Sequence, residues 1–524
     1  MDEIISSDLH GRLGKIALPK GDVITPTLLP VIDPRNNLIT AQEMKKKFDF
    51  NLVITSAYLY YKRFGMPDGA NSIHETLGFD GNIMMDSGAY QVLVYGDVDI
   101  DPVQSLQIQS NLKADIGVIL DVPTPPADTY SQAKQKVEET IRRIGVSLPH
   151  IETHPETIWT LPIQGGKNVK LIEHYLGEVK DKDYLSHFRF HALGSVAPVM
   201  SQYDFLSLFS MIRTSRELLP HNIPFHLFGA GHPMIFPFVV ALGSDTFDSA
   251  AYILYAKENR YMTSEGTYHL QELYELPCSC EVCSNWTPKE LLDADEDTRI
   301  RNVALHNLHV SYAELKRIRV SLKDGNLWEL LVNRSKVHPS LYKAFKHIAN
   351  GSYTEFFEYG TPSTKQTGLK ISGEDSFYRP EYSRGRKRIY ERYSPNNSKI
   401  VILISSGRNN PVEILNLRIE LKNSIKSKTN EMDFAFLIPF IGILPLELIE
   451  TYPFSQYVFS AVLSEGLLSK LELEIERFLE IFPYQEVVLC PLDDWDNSKV
   501  LIENIKKILN NREIPFKEKN FREL

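Results

Sequence analysis

Eight short apolar runs, each followed by a polar loop and a helix-like stretch, organise the first half of this sequence. β-Branched and aromatic residues dominate the runs, as is typical of buried strands, and the runs recur every roughly 20 to 40 residues, which suits repeated βα units. They cover residues 28–32, 52–58, 83–85, 116–120, 157–163, 188–193, 223–228 and 246–251. Eight such units predict an α/β chain with a closed (β/α)8 TIM barrel.

An open, doubly wound sheet is the alternative that the same runs could form. Polar or small residues, however, stand at or just past the C-terminal ends of six runs. In a barrel these ends converge on one mouth, whereas an open sheet would distribute them along an edge. The barrel is therefore the favoured prediction, and the residues that it would bring together are Asp86, Asp121, Gln164, Gly194, Gly229 and Asp248.

Beyond the barrel, the composition and the hydrophobic periodicity of the 524-residue chain change twice. We expect a catalytic barrel over residues 1–348 that includes a metal-binding subdomain at about 277–310. Residues 349–398 are rich in Ser, Thr, Gly, Pro, Tyr and Arg without a sustained period, which predicts an irregular basic connector. Strand-like and helix-like segments alternate again over 399–524, with one helix expected at 413–424, and this pattern predicts a smaller α/β accessory domain.

Three of the four cysteines crowd into six positions, as Cys278-x-Cys280-x2-Cys283, and His306 follows. Disulfides among such close neighbours would be strained, so the cluster favours metal binding in a reducing compartment. Three thiolates and one imidazole suit tetrahedral Zn²⁺ and leave no position for water, which predicts a structural site. Two alternatives are His309 in place of His306, and three free thiols. The fourth cysteine, Cys490, lies in an apolar run and is expected in the core.

The charge and the hydropathy of the chain exclude two classes of protein. A formal net charge of -10 argues against a generally basic nucleic-acid coat, so a nucleic acid must be met by local patches. The N-terminus lacks the basic and apolar regions of a secretory signal. The longest apolar run, 434–446, is interrupted by proline and glycine and is shorter than the roughly 20 residues that a spanning helix needs. We therefore expect a cytoplasmic protein without a membrane partner.

Aspartates next to small residues recur at the predicted barrel mouth, at Asp86, Asp121 and Asp248. Each alone fits a helix cap or a turn residue. Two carboxylates that face one pocket are what glycosyl transfer needs, since one attacks the anomeric carbon and the other moves the proton of the leaving or entering group. Glycines such as Gly194 would let a flat ligand approach the backbone, and aromatic rings would stack on it.

Five barrel motifs occur in one order along the chain: DSGAYQ at 86–91, LDVPTPP at 120–126, ALGS at 192–195, FGAGHP at 228–233 and FDSAAY at 247–252. With the cysteine knuckle and His306, they resemble an archaeal-type tRNA-guanine transglycosylase over about residues 10–348. The resemblance implies a (β/α)8 enzyme that exchanges a guanine in tRNA for a 7-deazaguanine. In the archaeal branch the incoming base is 7-cyano-7-deazaguanine (preQ0) and the target is position 15 of the D-arm, on the route to archaeosine.

The resemblance also implies a role for each motif residue. Asp248 aligns with the nucleophile that bonds to ribose C1′, and Asp86 with the general acid/base. Tyr90 and Phe228 align with residues that stack on the two faces of the base. Base-edge recognition aligns with Asp121, Gln164 and the backbone of Leu193 and Gly194, and Ser87 is a further substrate-binding residue. Cys278, Cys280, Cys283 and His306 align with the ligands of a structural zinc ion.

Partners and rival functions follow from the same resemblance. Such enzymes act on tRNA, and members of the archaeal branch usually carry a PUA domain that binds it. No PUA-like pattern is evident in this sequence. We therefore expect that a homodimer, a separate PUA-bearing chain or an archaeosine-synthase-type chain assists in tRNA binding. The alternative is a non-catalytic tRNA-binding subunit or a diverged archaeosine-synthase-like paralogue. Such relatives lack part of the Asp86 and Asp248 pair, which this chain keeps. A zinc deaminase would need the His-x-Glu and Pro-Cys-x-x-Cys arrangement, which the sequence lacks.

The most basic stretch lies in the predicted connector. Residues 379–392 carry six positive charges against Glu381 and Glu391, with Tyr382 and Tyr390 between them. Such a pattern predicts contacts with tRNA phosphates and stacking on exposed bases, or else a solvated surface. The positive residues are Arg379, Arg384, Arg386, Lys387, Arg388 and Arg392.

Overall fold

The protein forms two compact units in the computed structural model, which describes residues 1–35, 37–91, 100–405, 431–459, 464–492 and 498–523. The first unit comprises Met1–Lys323 and Leu330–Phe345, and the second comprises Asp324–Glu329 and Lys346–Leu524. Strands of the first unit are β1 (Glu3–Asp8), β2 (Gly11–Ile16), β3 (Val23–Thr25), β4 (Thr27–Pro30), β5 (Leu52–Ser56), β6 (Asn82–Asp86), β7 (Ile116–Val118), β8 (Ile158–Ile163), β9 (Phe190–Leu193), β10 (Phe225–Leu227), β11 (Thr246–Ser249), β12 (Arg260–Met262) and β13 (Thr267–His269).

Eight parallel strands form the barrel of the first unit, in the order β4-β11-β10-β9-β8-β7-β6-β5. A parallel bridge between Val31 and Ile54 connects the two outer strands and closes the sheet. Every residue of β5 and β8 is buried, as expected where helices cover the outside and side chains fill the inside. All eight predicted strands are confirmed, with ends that differ by at most two residues, and so is the (β/α)8 barrel.

The helices of this unit begin at side chains that cap free backbone N–H groups. Thr129 and Gln132 form a capping box at the start of one helix, and Asp101 and Gln104 form another, with proline at the first helical position of the latter. Helices that begin before residue 340 are Ala41–Phe48, Ala57–Phe64, Ile73–Leu77, Pro102–Asn111, Tyr130–Thr153, Val169–Asp181, Val196–Ser201, Phe205–Leu218, Phe236–Ala241, Ala251–Lys257, Pro288–Asp293, Glu296–Asp324, Leu327–Ser335 and Pro339–His347.

A three-stranded antiparallel sheet, β1-β2-β3, covers the N-terminal end of the barrel. Ile16, Leu18 and Val23 belong to the same apolar cluster as Leu52 and Ile116, the first residues of two barrel strands. Arg12 of this sheet forms a buried ion pair with Asp245, and its Nε lies 2.8 Å from that carboxylate. The sequence patterns did not predict this sheet. It leaves the C-terminal ends of the strands as the mouth of the barrel.

A five-stranded sheet forms the centre of the second unit, in the order β17-β16-β15-β19-β20. It is parallel except for β17, and β15 at its centre is buried over five of its six residues. This α/β fold was predicted, and Cys490 is buried in it as expected; the helix predicted over 413–424 lies outside the described residues. The elements of this unit are β14 (Leu369–Ile371), β15 (Lys399–Ile404), β16 (Asp433–Ile438), β17 (Gly442–Pro445), β18 (Tyr457–Phe459), β19 (Glu486–Pro491), β20 (Phe516–Glu518) and the helices Thr354–Gly360, Pro380–Arg392, Glu465–Ile481 and Ser498–Asn511.

The prediction of an irregular connector over 349–398 is wrong. This segment contains the helices Thr354–Gly360 and Pro380–Arg392, and its strand β14 pairs with β18. Two charged side chains, Glu381 and Arg386, occupy buried positions of the second helix beside Tyr382 and Ile389. Buried charges in place of apolar residues erase the hydrophobic period, which is why the sequence pattern did not reveal the helix.

The prediction of a basic surface over 379–392 is wrong for the buried side chains of the same helix. The Arg379 guanidinium is buried and pairs with Glu381 at 3.0 Å and Glu329 at 2.8 Å. Arg386 donates to the Phe440 carbonyl at 3.2 Å, and Tyr382 is fully buried, so neither side chain is available to a nucleic acid. Arg384 donates to backbone carbonyls and Tyr390 to Glu474. The positive side chains that remain exposed are Lys387, Arg388 and Arg392.

Among the described residues, no helix combines the length and the apolarity that crossing a membrane requires.

Candidate active site

A cavity of about 780 Å³ lies at the C-terminal ends of the barrel strands. Six consecutive strands, β6 to β11, each contribute a residue at or just past their ends. Because parallel strands of a barrel all end at the same rim, residues far apart in sequence meet here. The six residues are Asp86, Asp121, Gln164, Gly194, Phe228 and Asp248, and Tyr90 lines the cavity beside them.

Asp248 is held from one side only. Its Oδ1 accepts hydrogen bonds from the Gly229 backbone N–H at 2.9 Å and from His226 Nε2 at 3.1 Å. Gly229 has a φ of 71°, a left-handed conformation that glycine adopts without strain, and this conformation directs its N–H toward the carboxylate. Within the described part of the chain Oδ2 has no such donor. Oδ2 is therefore the oxygen that is free to react in the cavity.

Asp86 is the second carboxyl group of the cavity. Burial in the cavity raises the pKa of Asp86 to about 7, and the negative charges of Asp121 and Asp248 contribute to the rise. The backbone N–H groups of Gly88 and Ser87 act in the opposite direction. A carboxyl group with a pKa near neutrality can both give and take a proton, which is what acid/base catalysis requires.

A hydrogen-bond network orients Asp121 and Gln164. Gln164 Oε1 accepts from the hydroxyl groups of Ser195 at 2.7 Å and Thr124 at 3.0 Å, so its amide nitrogen must point the other way, where it donates to Asp121. Burial raises the pKa of Asp121 to about 6, and the bond from Gln164 opposes this rise. The network thus places a carboxylate acceptor beside an amide donor, a pair that matches the edge of a purine-like base.

The remaining predicted binding residues take different positions. A Cβ at Gly194 would lie well inside contact distance of the Gln164 amide, so only glycine fits here. The Leu193 carbonyl accepts a hydrogen bond from the Phe228 N–H at 3.1 Å. Ser87 is buried, and its hydroxyl has no hydrogen-bond partner among the described residues. Tyr90 is 50% exposed at the cavity.

The cysteine cluster brings Cys278, Cys280, Cys283 and His306 together, with all four ligand atoms within 4.8 Å of one another. Sγ of Cys280 lies 3.5 Å from Sγ of Cys283, and His306 Nδ1 lies 3.3 Å from the latter. Four ligands at zinc-like bond lengths in a tetrahedron would be separated by about 3.5 to 3.8 Å. The spacing and the donor chemistry fit a four-coordinate metal ion.

Neighbouring groups fix the imidazole of His306. Its Nε2 lies 2.8 Å from the Met262 carbonyl, so Nε2 carries the proton and Nδ1 is left as a ligand. The Tyr261 ring stacks on the imidazole at 3.7 Å between centroids. Asn307, the next residue, bonds to the backbone of Met262 and Tyr252. His309, the alternative ligand, lies outside the cluster and faces Glu281 at 3.5 Å. The cluster therefore brings the cysteine loop to the helix Glu296–Asp324, and the hydrogen bonds of His306 and Asn307 tie this helix to the strand β12.

Comparison with known proteins identifies the family. A family model described as queuine tRNA-ribosyltransferase matches residues 7–340. The chain belongs to this family. It is therefore an enzyme of the tRNA-ribosyltransferase class, as the sequence predicted.

Curated relatives of this transglycosylase family match nearly the whole chain. A tRNA-guanine(15) transglycosylase of Sulfolobus acidocaldarius is 37% identical over 93% of this chain and 94% of the relative. Its namesake from Methanosarcina mazei is 38% identical over 96% of both chains. The one from Methanocaldococcus jannaschii is 35% identical over 97% of this chain and 73% of the relative. The similarity thus includes the second unit as well as the barrel, and it confirms the resemblance to archaeal-type tRNA-guanine transglycosylases.

Three polar residues of the transglycosylase site were not predicted from the sequence. Thr124 and Ser195, which orient Gln164, lie inside two of the barrel motifs. Their hydroxyl groups are the sequence feature that could have indicated a hydrogen-bonding role. His226 lies inside an apolar run, between Phe225 and Leu227. A single polar residue within a buried strand was the signal there, but a histidine in that position is as often structural as functional.

Proposed function

We propose that this chain is a tRNA-guanine(15) transglycosylase that replaces guanine by preQ0 in archaeosine biosynthesis, through a covalent Asp248–ribose intermediate. One observation carries the proposal. Asp248, with one free oxygen, shares a cavity with Asp86, a carboxyl group whose pKa burial raises to about 7. These are the two kinds of carboxyl group that a retaining glycosyl transfer uses. The presence of both speaks for an enzyme rather than for a non-catalytic tRNA-binding subunit.

The first half of the reaction removes guanine. Asp248 Oδ2 forms a bond to ribose C1′ as the bond from C1′ to the base nitrogen breaks. Protonated Asp86 gives its proton to the departing guanine, so that a neutral base leaves and Asp86 becomes a carboxylate. A base stacked in a helix is out of reach of the cavity, so the target nucleotide must leave its stack first.

The second half attaches the deazaguanine. The Asp86 carboxylate removes the proton from the ring nitrogen of the incoming base, and this nitrogen forms the new bond to C1′ as the bond from C1′ to Asp248 Oδ2 breaks. Asp248 is again ionised and Asp86 is again protonated, so one cycle balances without another reactant. Two displacements at C1′ restore the original configuration.

Recognition of the base follows from the Asp121 and Gln164 network. The Asp121 carboxylate accepts from the N–H groups of a 2-aminopyrimidinone edge, while the second N–H of the Gln164 amide donates to its carbonyl oxygen. The Gly194 N–H already donates to the Ile163 carbonyl at 3.0 Å, so the Leu193 and Gly194 backbone is proposed to lie against the base edge. Tyr90 and Phe228 line the cavity and are proposed to stack on the two faces of the base. Both guanine and preQ0 share this edge, which is what an exchange requires.

The metal cluster is proposed to hold a structural Zn²⁺ ion. Cys278, Cys280, Cys283 and His306 would fill all four positions of a tetrahedral ion, which would then cross-link the chain without activating a water molecule. The partner of the barrel is proposed to be tRNA, assisted by a second copy of this chain or by a separate PUA-bearing chain.

Exchange of labelled guanine tests the proposed function. A tRNA transcript with guanine at position 15 is incubated with the purified protein and radiolabelled guanine, and incorporation into tRNA is counted. We expect label in this transcript and none in a matched transcript that carries adenine at position 15. Absence of label in both, or equal label in both, would contradict the proposal.

The pH dependence of adduct formation is expected to be bell-shaped. Asp86 must be protonated, and its pKa near 7 predicts a rate that falls about tenfold per pH unit above that value. Asp121 must be ionised to accept from the base, and its pKa of about 6 predicts a fall on the acid side. Single-turnover rates of the covalent tRNA adduct between pH 5 and 9 measure both limbs. A rate that rises continuously through pH 8 would contradict the role of Asp86 as an acid.

Gly194→Ala is expected to weaken binding of the base about 10- to 100-fold, since a hydrogen bond to a buried site is lost or distorted. The new methyl group overlaps the Gln164 amide, which Thr124 and Ser195 hold in place. Equilibrium dialysis with a labelled 7-deazaguanine measures the affinity. Gly177→Ala is the matched control, because a Cβ at that helical position meets no neighbour within 4 Å. Equal affinity in both variants would refute the placement of the base against Gly194.

A further inference from the structure

His226 lies on the inner face of the barrel, directly beside the proposed nucleophile. It is fully buried in β10, and its register partner in the neighbouring strand β11 is Thr246. Side chains two residues apart on a strand share a face, so Asp248 follows Thr246 on the same side. The strand register thus aligns Thr246, His226 and Asp248.

The hydrogen bonds of His226 define its tautomer. Nε2 lies 3.1 Å from Asp248 Oδ1, and Nδ1 lies 2.9 Å from Thr246 Oγ1. An ionised carboxylate accepts hydrogen bonds and donates none, so Nε2 carries a proton. In the neutral ring Nδ1 then accepts from the Thr246 hydroxyl. This bond holds the donor nitrogen toward Asp248 in the way that a carboxylate or carbonyl orients a metal-binding histidine.

We propose that His226 is a positioning residue for the nucleophile of the transfer reaction. His226 and the Gly229 N–H both donate to Asp248 Oδ1. These two hydrogen bonds turn Oδ2 toward C1′ and stabilise the negative charge of the carboxylate. The inference rests on the proposed function and adds a residue to it.

The donors act mainly in the second displacement. While Asp248 is bound to the ribose, Oδ2 is the ester oxygen and Oδ1 is the ester carbonyl. As the incoming nitrogen bonds to C1′, the C1′–Oδ2 bond breaks, its electron pair returns to the carboxylate, and charge develops on both oxygens. His226 and Gly229 already point at Oδ1, so they stabilise this charge without reorganisation.

The charged side chains that line the same cavity as Asp248 are mostly acidic, so a hydrogen-bond donor beside Asp248 faces a group surrounded by like charges. They lie at or just past the C-terminal ends of β4, β6 and β7 and on two later helices, and they comprise Asp33, Asp86, Asp121, Lys257, Glu296 and Asp297. His226 is the side chain that donates to Asp248 from β10.

Two amide variants separate the two ring nitrogens. In His226→Gln the amide nitrogen reaches the position of Nε2 and can still donate to Asp248, whereas in His226→Asn it reaches only the position of Nδ1, near Thr246. His226→Phe keeps the ring, which packs edge-to-face against Phe228 at 4.8 Å, but removes both nitrogens. We expect kcat to fall about 10- to 100-fold in the Asn and Phe variants, the usual effect of losing a hydrogen bond to a charged group. We expect the Gln variant to stay within about threefold of wild type, and KM for the base to be unchanged in all three.

A second readout does not depend on activity. Carbodiimides modify protonated carboxyl groups, so labelling of Asp248 against pH, followed by peptide mass spectrometry, reports its ionisation. The midpoint is expected to move to higher pH in the Asn and Phe variants and to stay in place in the Gln variant. This expectation does not depend on guanine exchange. A wild-type protein that exchanges no guanine would refute the proposed function, but the labelling midpoints would still test the role of His226.

Three outcomes would overturn the inference. The Phe variant with kcat within about threefold of wild type would show that packing of the ring is sufficient. The Gln variant falling as far as the Asn variant would show that the donor to Oδ1 has no role. Labelling midpoints that coincide in all variants would show that His226 does not stabilise the carboxylate. If the Phe variant does not fold, the Gln and Asn pair still decides between these results.

Discussion

Asp248→Asn is expected to lower the rate of guanine exchange by about 10⁴-fold or more, the size of loss seen when a member of a catalytic group is removed. A neutral amide has no charged oxygen with which to attack C1′, although it matches the carboxylate in shape. Its oxygen can still accept from the Gly229 N–H, so the fold should be preserved. Incorporation of labelled guanine and the thermal melting temperature measure the two effects.

Asp183→Asn is the matched control for this variant. Asp183 is exposed in the loop that precedes β9, at the opposite end of the barrel, and has a φ of 54° that asparagine adopts well. We expect wild-type exchange in this control. Exchange by Asp248→Asn within tenfold of wild type, with melting unchanged, would mean that Asp248 is not the nucleophile.

Cys280→Ser is expected to remove the metal and to lower the free energy of unfolding by more than about 4 kcal/mol, as is typical when a structural metal site is lost. The thiol of Cys280 lies within 3.5 Å of both Cys283 Sγ and His306 Nδ1, so its loss opens the ligand set. Metal content by elemental mass spectrometry and thermal denaturation measure the two effects on the same sample.

Ser279→Ala controls for a change in the same loop, because this exposed residue contributes no side-chain ligand to the cluster. We expect full metal content and wild-type melting in the control. A Cys280→Ser protein that lost its metal and kept its melting temperature would show that the cluster does not stabilise the fold.

The barrel could be predicted because its strands have an unambiguous pattern. Strands buried on both faces, such as β5 and β8, are continuous apolar runs, and the polar residue at the end of each run marks the mouth. The N-terminal sheet was not predicted, because β1 and β2 are short, largely polar strands whose apolar residues cover the barrel end rather than form a core of their own.

The limits of pattern reading are clearest at 379–392 and at His226. A run of arginines indicates a basic surface, yet Arg379 and Arg386 are buried because Glu329, Glu381 and backbone carbonyls satisfy them. Partners of this kind come from distant parts of the chain, so the local sequence does not reveal them. For the same reason the site residues marked by motifs were found, whereas His226, which depends on its register against β11, was not.

Mass spectrometry of tRNA nucleosides shows directly whether the protein inserts preQ0 at position 15. A tRNA transcript with guanine at position 15 is incubated with the wild-type protein and preQ0, digested to nucleosides and fragments, and analysed for the mass and the position of the modified base. We expect preQ0 nucleoside at position 15 with the wild-type protein and none with Asp248→Asn. Unmodified guanine at position 15 with the wild-type protein, or the same product from both proteins, would contradict this expectation.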